Sequence, residues 1–296
     1  MTLRQQIAAS ELAGSAGPPP DQCDRQRWSV CTTMAGVMAR AQKVIRRLHI
    51  EWLSKPRPVR LAIYMHEVEG RMWPAFREMI EQFQGAGYRF VGPNEFLEGQ
   101  GRRAFLSFDD NYRSFWTVLP LLEELGVVAT FYVNTCVFRD RASEAEINAY
   151  FDRLHFLGER VPLSVQELCE IAAAGHVVGA HGHSHRALAA LRPTEARAEI
   201  AISKRLLEDL IAQEVAHFSY PYGMRRHFSE DLRAFCRSIG FRTIANAIPG
   251  MQFARQRDGQ IQRSVWRLDD PLQVNLDNLR TDGRLFECFT GRSAVG

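Results

Sequence analysis

Two adjacent carboxylates, Asp109 and Asp110, and three histidines within five residues, His181, His183 and His185, are the side chains best suited to chemistry in this sequence. A carboxylate oxygen and neutral imidazole nitrogens suit a divalent ion such as zinc, and three protein ligands leave a coordination position open for water. Neighbouring side chains on a strand point to opposite sides, so Asp109 and Asp110 take different tasks unless the chain turns between them. One carboxylate then serves the ion and the other accepts a proton. Plainer uses stand beside these: Asp110 or Asn111 as a helix N-cap, and the histidines as a solvated turn. His183 either shares a side with its neighbours or turns away to support them. Two further stretches carry chemistry-bearing groups. One is Tyr64-Met65-His66-Glu67-Val68, in which His66 could exchange a proton near neutral pH. The other is Phe218-Ser219-Tyr220-Pro221-Tyr222-Gly223, a tight turn whose N–H groups could hold a developing oxyanion.

Each of these groups follows a short apolar run. Arg103-Ala104-Phe105-Leu106-Ser107-Phe108 reads as a buried strand that ends on the carboxylate pair, and Val177-Val178-Gly179-Ala180 as one that ends on the histidines. Further strands are expected at 61–65, 88–91, 128–133, 216–220 and 241–245. Helices are expected at 73–84, ahead of Gly126, at 164–174, at Pro193–Ile211 and at 228–239. Ser164 with Glu167 three residues on is a capping box. Residues 136–160 read as an irregular excursion over one face. Six or more strand and helix alternations at this spacing imply an α/β fold with a parallel sheet, closed into a barrel rather than left open. The carboxyl ends of such strands gather on one rim, which brings Asp109, Asp110 and the histidines together.

With 296 residues, 46% hydrophobic and 24% charged, the chain has the make-up of a soluble globular protein with an ample core. A net charge of +3 without an interleaved basic and aromatic stripe excludes nucleic acid as a partner. Six scattered cysteines (Cys23, Cys31, Cys136, Cys169, Cys236, Cys288) with no CxxC pair read as reduced thiols. No run of 18 apolar residues occurs, and residues 1–17 lack the apolar core of a signal peptide, so the expected location is cytoplasmic. Residues 1–57 read as an extension. Its Pro18-Pro19-Pro20 tail is expected to be disordered, and an amphipathic basic helix over 33–53 packs on its own domain or touches a membrane surface. Lys55-Pro56-Arg57-Pro58 ends that helix, and residues 58–296 form the main domain.

The ordered set Ser107-Phe108-Asp109-Asp110, His181-x-x-x-His185 and Phe218-Ser219-Tyr220-Pro221-Tyr222-Gly223 resembles the polysaccharide deacetylases with the NodB homology domain, carbohydrate esterase family 4. The resemblance runs from about residue 58 to 270 and includes Leu119-Pro120-Leu121-Leu122 and the strand after Gly126. It implies a distorted (β/α) barrel of about seven parallel strands and a hydrolase that removes acetyl groups from N-acetylated sugars. By the same resemblance Asp110, His181 and His185 are metal ligands, for Zn2+ first and Co2+ or Ni2+ as alternatives. Asp109 is the general base, the Tyr222 N–H an oxyanion donor, and Tyr222, Pro221 and Asn111 line the substrate. No histidine follows His227, so the late Leu-x-His acid of many members is missing. The stretch around His66 is similar to the Tyr-His-x-Val-like motif of the biofilm poly-N-acetylglucosamine deacetylases, which makes His66 the acid. Asn111 stands where glycine is usual and Gly182 where Ser or Thr is common. Ser219 replaces an arginine that orients the base in many relatives, leaving Arg263 or Arg225 as substitutes. Two competing readings remain: a degenerate carbohydrate-binding relative without turnover, and an O-acetyl or N-formyl hydrolase acting on a nucleotide- or lipid-linked sugar.

Overall fold

Strands of a sheet covered on both faces carry continuous apolar runs, and that is how the central strands of this chain are built. The structure, a computed structural model, describes residues 59–250, 252 and 259–280. The expected tail, the basic helix, the boundary at 55–58, and Cys23, Cys31 and Cys288 lie outside the described residues. The strands are β1 (Arg60–Met65), β2 (Arg89–Phe90), β3 (Arg103–Asp110), β4 (Ala129–Val133), β5 (Val177–Ala180), β6 (His217–Ser219), β7 (Thr243–Asn246), β8 (Gln260–Gln262) and β9 (Ser264–Val265). All eight residues of β3 are buried. Every pairing is parallel, in the order β8-β7-β6-β5-β4-β3-β1-β9, with β2 appended to β3.

The two ends of that order, β8 and β9, are consecutive in the chain and separated by one residue, Arg263. Such a sheet can only be drawn if it curls on itself. With residues 260–265 counted as one stave, the ring has seven staves: β1, β3, β4, β5, β6, β7 and this segment. The expected distorted barrel of about seven parallel strands is therefore present. Two strand faces follow from the alternation of side chains. Ala104, Leu106 and Phe108 pack outward into the large core beneath the helices, while Phe105 joins Ala62, Tyr132, Ala245 and Ile261 in a second, inner cluster. Gly179 leaves room for that inner layer, since a Cβ there would stand 2.5 Å from the Tyr132 ring.

The outer layer is helical. The long helix Pro193–Ile211 has the expected bounds, and the capping box on Ser164 and Glu167 opens the helix Val165–Ala173. Corrections fall at three places. The helix expected before Gly126 is two short pieces, Ser114–Thr117 and Leu119–Glu124, parted at Val118 ahead of Pro120. Residues 136–160 contain the helix Glu144–Arg153, opened by a second capping box on Ser143 and Glu146. The chain also forms strands β8 and β9 and the helix Leu272–Arg280, which lie beyond the last strand expected from the sequence. Cys136, Cys169 and Cys236 are free thiols. Among the described residues no helix is long and apolar enough to cross a membrane.

One buried histidine makes the fold sensitive to acid. His217, on β6, bonds Thr243 Oγ1 through Nδ1 at 2.9 Å, and burial, with Arg242 and Lys204 adding to it, pushes its ring down to about 4 from 6.5. The unfolded ring takes a proton near 6.5 and the folded ring only near 4. Stability is therefore complete above that upper value and falls as pH drops through the window, by about 3 kcal/mol at most from this residue. Unfolding of His217→Gln by urea at pH 7 and pH 4.5 should show a smaller acid loss than the parent chain. An equal loss in both would remove His217 as the cause.

Candidate active site

The carboxyl ends of β1, β3, β5 and β6 open on one cavity of about 700 Å³. His66, Asp109, Asp110, His181, His185 and Tyr222 all line it. Strand alternation sends Asp109 into the barrel and would send Asp110 outward. The chain turns instead at Asp110, whose φ is +83, and its carboxylate swings back over the rim. His185 and Tyr222 also hold positive φ, of 54 and 64. Non-glycine residues occupy this region rarely and at a cost of about 1–3 kcal/mol each. All three line the same cavity.

Asp110 Oδ1 stands 3.5 Å from His181 Nε2 and 3.2 Å from His185 Nε2, and the three ligating atoms lie within 4.8 Å of one another. His181 Nδ1 donates to the Ser219 carbonyl at 2.8 Å, which leaves the lone pair of its neutral form on Nε2. Burial pushes His185 down to about 4, so its ring is neutral at pH 7. Burial also opposes charge on His181, but Asp109 and Asp110 outweigh it and raise that ring. Asp110 Oδ1 and His185 Nδ1 are buried with no hydrogen-bond partner. One carboxylate oxygen thus faces two ring nitrogens in a buried space, an arrangement that calls for a cation or a shared proton between them. A divalent ion with N and O ligands fits that demand. Tyr112 completes the setting: its hydroxyl donates to Asp110 Oδ2 at 3.3 Å.

Asp109 is held apart from this group by Arg263. The guanidinium donates to Asp109 Oδ1 at 2.6 Å and Oδ2 at 2.8 Å, to Ser107 Oγ at 2.9 Å, to Ser219 Oγ at 2.6 Å and to the Asn246 carbonyl at 2.9 Å. It is 0% exposed and lies between the rings of Tyr64 and Tyr132, 4.8 and 5.1 Å from their centroids. Burial alone would raise the Asp109 carboxyl, yet Arg263 outweighs it and holds the group below its ordinary value. Of the two arginines named as substitutes for the missing orienting residue, Arg263 is the one on Asp109. Ser219 makes room for it and adds a 3.3 Å bond from Oγ to Asp109 Oδ2.

The remaining expectations divide. His66 is exposed on the cavity wall, its ring edge-on to Tyr64 at 5.5 Å. Tyr222 is 45% exposed, and its ring lies 4.8 Å from His185. Among the described residues nothing accepts the Tyr222 N–H. Asn111, expected against the substrate, is corrected: it is 0% exposed and its amide is fully used, donating to the Asn134 and Val137 carbonyls and accepting from Leu163 N–H. Pro221 is buried too, beside Gly182, and does not line the cavity. His183 does not join the ligand cluster; its Nδ1 lies 2.8 Å from Thr135 Oγ1. Asn134, which the sequence did not single out, donates to the His181 and Gly182 carbonyls and accepts from Tyr150, so it ties the two motifs together.

The model of the polysaccharide deacetylase family matches residues 97–244, half of the chain. The chain belongs to the polysaccharide deacetylase family. It is accordingly placed among the hydrolases of carbohydrate esterase family 4. The matched segment contains the carboxylates, the histidines and Tyr222 but neither His66 nor Arg263. YxkH of Bacillus subtilis (strain 168), which carries the same family name, is 24% identical over 213 residues, covering 67% of this chain and 68% of that one. Two solved structures are similar in shape. PplD, a Streptococcus pyogenes deacetylase in complex with acetate, has a TM-score of 0.60 at 16% identity, over 76% of this chain and all of that one. IcaB from Ammonifex degensii has a TM-score of 0.58 at 20% identity, over 75% and 97%. At these identities the structures speak for the shared polysaccharide deacetylase barrel alone.

Proposed function

We propose that this chain is a metal-dependent deacetylase that hydrolyses N-acetyl groups on a polysaccharide or glycoconjugate. The observation that carries the reading is the division of labour between adjacent carboxylates: Asp110 Oδ1 faces two imidazole Nε2 atoms, while Asp109 is locked to Arg263 in the same cavity. Asp110, His181 and His185 would hold the ion, Zn2+ first among candidates. When bound, such an ion would polarise the acyl carbonyl and make water acidic enough to ionise near neutral pH.

The chain's own groups do the rest. Asp109 is ionised at working pH because Arg263 holds it low, so it is free to take the proton of an attacking water. Arg263 fixes the orientation of that carboxylate with a two-pronged contact and keeps it from rotating toward the histidines. The Tyr222 N–H, without an acceptor of its own, donates to the oxygen on which negative charge develops. His66, on the exposed wall, delivers a proton to the departing amine nitrogen and regains one from solvent. The Tyr222 ring, partly exposed over the cavity, offers an apolar face to a sugar.

Chelation tests this reading. Protein stripped with a chelator should release no acetate from N-acetylated chito-oligomers, and one equivalent of Zn2+ or Co2+ per chain should restore release. Equal acetate release from stripped and reloaded protein would remove the ion from the mechanism.

A further inference from the structure

The segment that carries His181 and His185 is bent at both ends. Gly182 has φ of +76 and His185 of +54, so two residues, His183 and Ser184, cross between two left-handed positions with no strand or helix of their own. Backbone of this kind persists only where its surroundings fix it. Much of the fixing comes from one residue outside the cavity, Glu199 on the helix Pro193–Ile211. Its Oε2 accepts the Ser184 N–H at 2.8 Å and its Oε1 the Ser184 hydroxyl at 2.6 Å. Its backbone carbonyl takes the His183 N–H at 3.1 Å. On the opposite side the His183 carbonyl accepts from the N–H groups of Thr135 and Cys136, at 3.1 and 2.9 Å. The loop is thus pinned to the long helix on one side and to the segment after β4 on the other.

We propose that Glu199 is a positioning residue that sets the affinity of the His181 and His185 pair for a metal ion. It touches neither the substrate cavity nor a ligating atom, and it acts through Ser184, the residue next to His185. The carboxylate matches this task. It is buried on a helix that is long enough to be rigid, and it takes both donors of one residue, which fixes Ser184 in translation and rotation together. Without it the Ser184 N–H is left in a half-buried place with no acceptor, and the loop relaxes toward unstrained backbone. That relaxation moves the His185 imidazole away from Asp110. Outer contacts of this kind typically change metal affinity by about 10- to 100-fold. The inference rests on the metal reading given above.

The test is the affinity of purified full-length protein for Zn2+, measured by competition with a chromogenic chelator at a temperature well below unfolding. Glu199→Met keeps the length of the side chain and removes both acceptors; its dissociation constant should rise at least about 10-fold. Glu199→Gln, which restores an oxygen for the Ser184 N–H, should recover most of that loss. Ser184→Ala removes the hydroxyl alone, and should weaken binding by less than Glu199→Met. It also decides the matter if Glu199→Met does not fold. Binding by Glu199→Met as tight as the parent, with Asp110→Ala unable to bind, overturns the role of Glu199. Parent protein that binds no Zn2+ overturns the metal reading itself and this inference with it.

Discussion

Asp109→Asn should lower the rate of acetate release by about 100- to 10,000-fold, the usual range for loss of a positioned base, with one metal ion per chain still bound. The reason for the separation is geometric: Asp110 Oδ1 is the oxygen that faces the two histidines, while both oxygens of Asp109 are turned to Arg263. A second effect accompanies the first. Arg263 is wholly buried, and its charge is balanced there by Asp109 alone among the carboxylates to which it bonds. Neutralising Asp109 strands that charge, so the variant should also be less stable by about 3–5 kcal/mol. Acetate assays, metal analysis and urea unfolding on the same preparation check all three statements. Loss of metal together with activity would mean that Asp109 is a ligand.

Arg263→Leu makes the complementary lesion. The Asp109 carboxyl keeps its burial, which raises it, and loses the guanidinium that holds it low. The base is then protonated at higher pH, so the acidic limb of the pH–rate profile should move upward, with activity near pH 6 suffering more than activity near pH 8. Stability should again fall by about 3–5 kcal/mol, since a buried carboxylate is left without its partner. Arg263→Lys keeps a charge but cannot reproduce contacts to both carboxylate oxygens, Ser107, Ser219 and Asn246, so it should restore little. The decisive measurement is the double variant Asp109→Asn with Arg263→Leu. It buries no unpaired charge, so it should unfold at higher urea than either single variant while remaining inactive. Stability losses that simply add would show that the two side chains do not depend on one another.

The grouping of Asp109, Asp110, His181 and His185 was legible because these residues lie in short motifs at strand ends, where periodicity and glycine stops are informative. Asp109, Asp110, His181 and His185 follow apolar runs, and those runs are β3 and β5. The closing stave escaped notice for a physical reason. Gln260-Ile261-Gln262-Arg263-Ser264-Val265 is mostly buried yet polar, because Gln262, Arg263 and Ser264 spend their polar groups on partners such as the Pro249 carbonyl, Asp109 and the Asn278 carbonyl, so it lacks the apolar signature by which buried strands are read. Asn111 misled for a related reason. An exposed loop amide and a buried bracket look alike in sequence, and only the partners at Asn134, Val137 and Leu163 separate them. The helix Glu144–Arg153 was legible in principle, since Ser143 and Glu146 have the spacing of a capping box. Glu199 carried no local signal, because its partner lies fifteen residues away on another element.

The single residue between β8 and β9 bears on how such a chain is made. During synthesis the ribosome releases both carboxylates and both ligand histidines well before Arg263, so a nascent chain has an uncompensated acid facing an open ring with two bare sheet edges, β1 and β7. The segment that supplies the missing cation is the same one that zips those edges shut. A translation product stopped ahead of residue 260 should therefore be both inert and prone to clump, which ties quality control of the fold to completion of its chemistry.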